Sequence, residues 1–131
     1  MIIKGRVVSK GVAEGEALVS RHAISFLGDV DPKTGNIINR GSDVFGQCIA
    51  DKIFIFPNGR GSTVGSYVIY QLKKNGTAPK AILNIESEPI VAVGAIISGI
   101  PLMDKLEKNP LEIIKTGQKV KVNAEHGFIE L

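Results

Sequence analysis

Residues 52–76 read KIFIFPNGRGSTVGSYVIYQLKKNG. Lys52 to Phe56 is short and strongly apolar, as expected of a buried strand. Pro57 and Asn58-Gly59 end it. Val64, Tyr67, Val68 and Leu72 then recur at helical spacing, so a helix is predicted to open near Ser62. Lys73 and Lys74 fall in its last turn, where cations oppose the negative end of the helix dipole, and Asn75-Gly76 is a stop signal. A strand that feeds a helix through a glycine-rich turn places the chain in the α/β class.

Outward from this unit, strands dominate. Ile2 to Ser9 mixes Ile and Val with Lys and Arg in near-alternation and reads as a strand; Glu16 to Ser20 reads as a second, beyond a turn at Lys10-Gly11 and a glycine at Gly15. Residues 24–46 are rich in Gly, Asp and Asn, residues that favour turns through backbone freedom and side-chain hydrogen bonds. They are expected to form a long loop with a short strand at Asn36–Asn39. Lys80 to Ile85 reads as a buried strand and Ile90 to Ile97 as a further apolar segment ended by Ile100-Pro101. Leu102 to Lys108 reads as a short helix. Gln118–Asn123 and Gly127–Leu131 form a closing hairpin turning at Ala124–His126. The expected whole is one compact, barrel-like α/β domain spanning residues 1–131, within the size range of a single domain.

Composition excludes several classes. The net charge of +3 is mild, the basic residues are scattered, and no aromatics interleave with them to stack bases, which argues against nucleic-acid binding. It leaves room for an anionic substrate. Cys48 is the single cysteine, so neither an internal disulfide nor an iron–sulfur cluster held by this chain alone is possible. The apolar run from Pro89 to Leu102 is shorter than the roughly 20 residues that span a bilayer. MIIKGRVVSKG lacks the apolar core of a signal peptide, and a cytoplasmic location is expected.

The turn carries the chemistry. Gly59 and Gly61 let the backbone approach another group closely, and the N–H groups of Gly61 to Gly65 at a helix start would favour an anion. Among such donors, and near Arg60, the alkoxide of Ser62 becomes less costly. The plainer reading of Ser62 is a helix N-cap, worth ~1 kcal/mol. The segment is not a P-loop, which needs a Lys absent here, nor a GxSxG elbow.

PNGRGSTVGSYVIYQL resembles the signature of the small subunit of aconitase X family dehydratases, and the likeness continues through KGVAEGEALVS, ISFLGDVDPKTG, GTAPKAILNIESEPIVAVGAIISGIP and KVKVNAEHGFIEL. Within that family the pattern is most similar to the archaeal type that dehydrates (R)-5-phosphomevalonate. The resemblance implies the swivelling β/β/α domain of aconitases. It also implies a hydro-lyase active only with a large subunit that carries a [4Fe-4S] cluster, the iron acting as Lewis acid on the leaving hydroxyl. The product would be trans-anhydromevalonate 5-phosphate of the archaeal-type mevalonate pathway. Ser62 matches the family's catalytic serine and would abstract the proton; from the chemistry of the turn itself, Gly61, Thr63, Gly65 and Ser66 are expected to bind substrate and Arg60 to supply positive charge. Classical aconitases have Gly-Ser-Ser-Arg at this turn; here Gly61-Ser62-Thr63-Val64 lacks the arginine, which removes the basis for tricarboxylate recognition.

Other readings stand beside this one. Dehydration of cis-3-hydroxyproline is the rival reaction; a noncatalytic module gating a partner enzyme and a free-standing anion-binding domain are the rival classes. Asp29 and Asp31 could line the site or merely form turns, and a metal role for them is the lesser reading. Glu86 and Glu88 could reach substrate across a crevice or form a solvated strand end. His22 and His126 have no zinc-type spacing and read as surface residues, and Cys48 reads as a small buried apolar residue.

Overall fold

The computed structural model describes residues 1–131. In chain order the elements are β1 (Ile2–Lys4), β2 (Arg6–Ser9), β3 (Val12–Val19), a broken helical turn α1 (Phe26–Asp29), β4 (Ile53–Phe56), α2 (Gly65–Asn75), β5 (Ala81–Asn84), α3 (Pro89–Ser98), β6 (Leu102–Asp104), α4 (Pro110–Ile113), β7 (Lys119–Asn123) and β8 (Phe128–Glu130). The eight strands form one sheet in the order β1-β8-β7-β3-β4-β5-β6-β2. Strands β3 to β6 are parallel in that central run, and the flanking pairs are antiparallel. The two edges, β1 and β2, are joined through Gly5 alone, so the sheet closes on itself as a barrel. Gly5 suits this bend: a Cβ there would lie 3.0 Å from the Asp104 carbonyl oxygen and 2.5 Å from Leu106 Cδ2.

Strand alternation divides the interior into two cores. Ile53 and Ile55 of β4 and Ala81 and Leu83 of β5 point into the barrel, against Ile3, Val120, Val122 and Ile129. Phe54, Phe56 and Ile82 point the other way, beneath Val68, Ile69 and Leu72 of α2, Val91 and Ala95 of α3, and Ile24, Phe26 and Ile37 of the long loop. β4 is buried on both faces, which explains why it reads as a continuous apolar run.

Two sequence expectations need correction, and one apolar segment without an expected type receives one. The apolar segment at Ile90–Ile97 is a helix, α3, with Glu88 as N-cap, Pro89 in the first turn and Gly99 as a left-handed C-cap. Leu102 to Lys108 is not a helix. Leu102 and Met103 pair with Ile82 and Leu83 of β5, and Leu102 to Asp104 are fully buried, so sheet pairing outweighs local preference. Asn36–Asn39 forms no regular strand; only isolated bridges tie Ile37 to Val30 and Asn36 to Cys48. The second strand is longer than expected and runs through Gly15. The closing hairpin stands as read.

Asp104, at the end of β6, is fully buried. Burial pushes its carboxyl up, but the Arg6 guanidinium at 2.8 and 2.7 Å, with the Ser87 amide and hydroxyl at 2.8 and 2.7 Å, outweighs this and holds it below the usual aspartate value. A depressed carboxylate contributes stability that is present above the unfolded-state pKa of about 3.9 and lost as pH falls through the lower, folded value. Thermal melts between about pH 5 and pH 2.5 should therefore show a loss of stability that is smaller in Asp104→Asn. Equal acid sensitivity in the two proteins would remove Asp104 as a source of this dependence.

Candidate active site

The glycine turn lies at the carboxyl end of the parallel strands, strung between the loops that follow β3 and β5. Ile24 N–H donates to Asn58 O at 3.1 Å and Arg60 N–H to Ile24 O at 2.9 Å, while the N–H groups of Ile85 and Glu86 donate to Pro57 O at 2.9 and 3.3 Å. The carboxyl edge of parallel strands is where α/β sheets place ligands, because loops of several strands converge there.

Two glycines let the turn fit. A Cβ on Gly59 would fall 2.3 Å from Glu88 Oε1 and 2.4 Å from Val91 Cγ2. Gly61 has φ +89°, and its Cβ would fall 2.5 Å from Ser25 Oγ. Gly59→Ala should destabilise the protein by roughly 1–3 kcal/mol, through overpacking and displacement of the Glu88 cap. Denaturant titration checks this, and an unchanged midpoint would show that the contact relaxes freely.

Beyond Gly61 the chain makes one further turn before α2. Gly65 N–H donates to Ser62 O at 3.0 Å and Val64 N–H to Ser62 Oγ at 3.1 Å. α2 begins at Gly65, so Ser62 is not its first residue, as the spacing had suggested. The left-handed backbone of Gly61 and the local bond from Val64 hold these residues in a turn in competition with the helix. Ser62 is half-buried, Gly61 and Thr63 are exposed, and the N–H groups of Gly61, Ser62 and Thr63 donate to no protein acceptor. Ser66 Oγ donates to Thr63 O at 3.1 Å, and Gly65 is buried, with a Cβ position 3.1 Å from Ile90 Cγ2. The result is a half-buried hydroxyl with free backbone donors at Ser62 and both its neighbours and the positive end of an 11-residue helix beyond it.

Residues 2–131 match the model of the aconitase X swivel domain family. The chain belongs to this family. It is 61% identical over 129 residues to a Methanococcoides burtonii protein named phosphomevalonate dehydratase small subunit, covering 98% of this chain and 94% of the relative. A Thermococcus kodakarensis protein of the same name is 56% identical over 131 residues, covering 100% and 96%. The crystal structure of Thermococcus kodakaraensis aconitase X in its holo-form superposes with a TM-score of 0.94 at 55% identity, covering 99% of this chain and 97% of that one. The solution NMR structure of a UPF0107 protein superposes with a TM-score of 0.91 at 46% identity, covering 100% and 98%.

Of the other candidates of the swivel domain, Arg60, Asp29 and Glu88 lie at the turn, and the rest make contacts elsewhere. Arg60 is half exposed; its Nε donates to Ala23 O at 3.3 Å and its Nη2 pairs with Asp29 at 3.4 Å. Asp29 is buried. Asp31 closes a local turn by accepting from Lys33 N–H at 2.9 Å. The Glu88 carboxylate caps α3, accepting from Ile90 and Val91 N–H at 2.8 Å each, while Glu86 is exposed and pairs with Lys105 at 3.5 Å. His22 and His126 are exposed. Cys48 is half-buried and its thiol lies 3.4 Å from Thr34 O. No three His, Cys, Asp or Glu side chains converge as a metal-ligand set, and the donors present do not fit an iron–sulfur cluster. No helix is long and apolar enough to cross a membrane.

Sequence reading reached Ser25 only as the start of the loop 25–35, which resembles a family loop and could contact the site, and missed Asn84. Ser25 is brought against Gly61 by the loop after β3. Asn84 ends β5 beside Phe56; its Nδ2 donates to Phe56 O at 3.0 Å, and its buried Oδ1 has no partner. Asn84 carries no local signal, since it matters only through a contact made across the sheet.

Proposed function

We propose that this chain is the small subunit of a dehydratase that removes water from (R)-5-phosphomevalonate to give trans-anhydromevalonate 5-phosphate. The observation that carries the reading is identity of 55–61% to proteins named phosphomevalonate dehydratase small subunit, over almost the whole chain.

The turn has chemistry suited to this. Dehydration removes a proton from the carbon next to the one bearing the hydroxyl and expels the hydroxyl as hydroxide; the carbons form a double bond, and the two departing pieces together make up the water. Ser62 Oγ would take the proton. A serine is a base only when its anionic form is stabilised, and the Val64 N–H already points at Oγ. The free N–H groups of Gly61, Ser62 and Thr63 and the remaining donors of Arg60 would hold the anionic groups of the substrate.

A large subunit would complete the site and hold the [4Fe-4S] cluster expected of the family, for which this chain has no ligand set. Leu27, Val64 and Ile85 stand exposed on the three segments that meet at the turn, an apolar rim suited to cover by that partner.

The test is anaerobic turnover. The chain is co-expressed with its large subunit, the cluster is reconstituted, and the complex is given 5-phosphomevalonate and, separately, cis-3-hydroxyproline. Formation of the anhydro product from the first is expected. Turnover of hydroxyproline alone would replace the substrate, and turnover by the small subunit alone would overturn the two-subunit reading.

A further inference from the structure

We infer that Asp29 is a positioning residue for the Ser62 turn, acting through Arg60 and Ser25; the inference rests on the reading that this turn binds an anionic substrate. Asp29 is 4% exposed, yet it ends the broken turn α1 and belongs to no strand or regular helix. A carboxylate taken out of water is costly unless donors surround it, and three do. Asn39 Nδ2 donates to Oδ1 at 2.8 Å, Ser25 N–H donates to Oδ2 at 2.9 Å, and Arg60 Nη2 reaches the same Oδ2 at 3.4 Å.

The two oxygens therefore do different things. One anchors the carboxylate to Asn39 within its own loop. The other faces the turn and holds the two groups on which the residues before Ser62 rest. Arg60 is fixed at two points, Nη2 on Asp29 and Nε on Ala23 O, while 53% of its side chain stays exposed. Its planar guanidinium is thereby oriented with donors left over for a ligand. Ser25, set by its N–H bond to Asp29, turns its hydroxyl to Leu27 O at 2.8 Å and presents the oxygen against which Gly61 packs. Asp29 thus sets the head group of Arg60 and the seat of Gly61, the two residues immediately before Ser62.

The test is a double-mutant cycle in the assembled, cluster-loaded complex, paired with a spectroscopic readout on the isolated chain. Asp29→Asn keeps the shape and removes the charge. It should raise KM for 5-phosphomevalonate by roughly tenfold or more with a smaller change in kcat, as expected when oriented substrate binding is lost. Arg60→Ala should do the same, and the double variant should be no worse than either single one. Losses that multiply would overturn the inference. Arg60→Lys alters only an exposed side chain and tests the point even if Asp29→Asn folds poorly: lysine keeps the charge but cannot bridge both anchors, so KM should rise, and wild-type KM would overturn the idea. In ¹⁵N NMR of the small subunit alone, the Arg60 Nη–H resonance, from the group that meets Asp29, should be distinct in wild type and move to the free-arginine position in Asp29→Asn, while Nε–H keeps its bond to Ala23 O. An unmoved resonance overturns the positioning role whatever the activity. If the wild-type complex fails on 5-phosphomevalonate, the substrate reading falls, and the resonance alone decides for or against Asp29.

Discussion

Ser62→Ala in the assembled complex is expected to cut turnover by roughly 10²–10⁴-fold, the range associated with loss of a positioned general base. The substitution removes one atom, Oγ, which accepts a single hydrogen bond from Val64 N–H. That N–H belongs to an exposed residue and can turn to water, so the structural cost should stay near ~1 kcal/mol or below. The free N–H groups of Gly61 and Thr63 are untouched, and so is Arg60, so KM should change little. Rate loss without loss of assembly or affinity is what a base predicts. A variant that retains full activity would reduce Ser62 to the residue that closes a turn.

Phe54→Ala is expected to destabilise the fold by about 3–5 kcal/mol, measured by denaturant unfolding of the isolated chain. Phe54 is fully buried at the centre of β4, its ring centroid 4.7 Å from that of Phe56 and 6.4 Å from that of Phe26. Its strand is paired on both sides, by β3 and β5, so the backbone has little freedom to collapse into the space left. Such a loss is a large share of the total stability of a small domain. A cost below about 1 kcal/mol would mean that α2 and the long loop repack over the gap, contrary to the close packing of this core.

These two residues differ in how far they could be read from sequence. Phe54 announces itself: an uninterrupted apolar run bounded by Pro57 and Asn58-Gly59 fits a strand buried on both faces, and it is one. α2 and the closing hairpin were legible in the same way, because periodicity and stop signals act within a few residues. Ser62 was marked by the glycines around it and by the resemblance of the whole turn to a family pattern. Its local geometry was not legible, since the left-handed Gly61 and the bond from Val64 to Ser62 hold it in a turn ahead of the helix.

The sequence by itself determined the strand–turn–helix unit, the α/β class and the candidate serine, because each rests on spacing, backbone freedom and side-chain chemistry confined to neighbouring residues. Only the tertiary structure decided that Leu102–Asp104 is a strand, that the sheet closes through Gly5, and that Asp29 lies buried beneath the turn. In each of these the deciding partner is distant along the chain. Asp104 meets Arg6 across 98 positions and Asp29 meets Arg60 across 31, and no local pattern encodes which distant group will satisfy a buried carboxylate or strand edge.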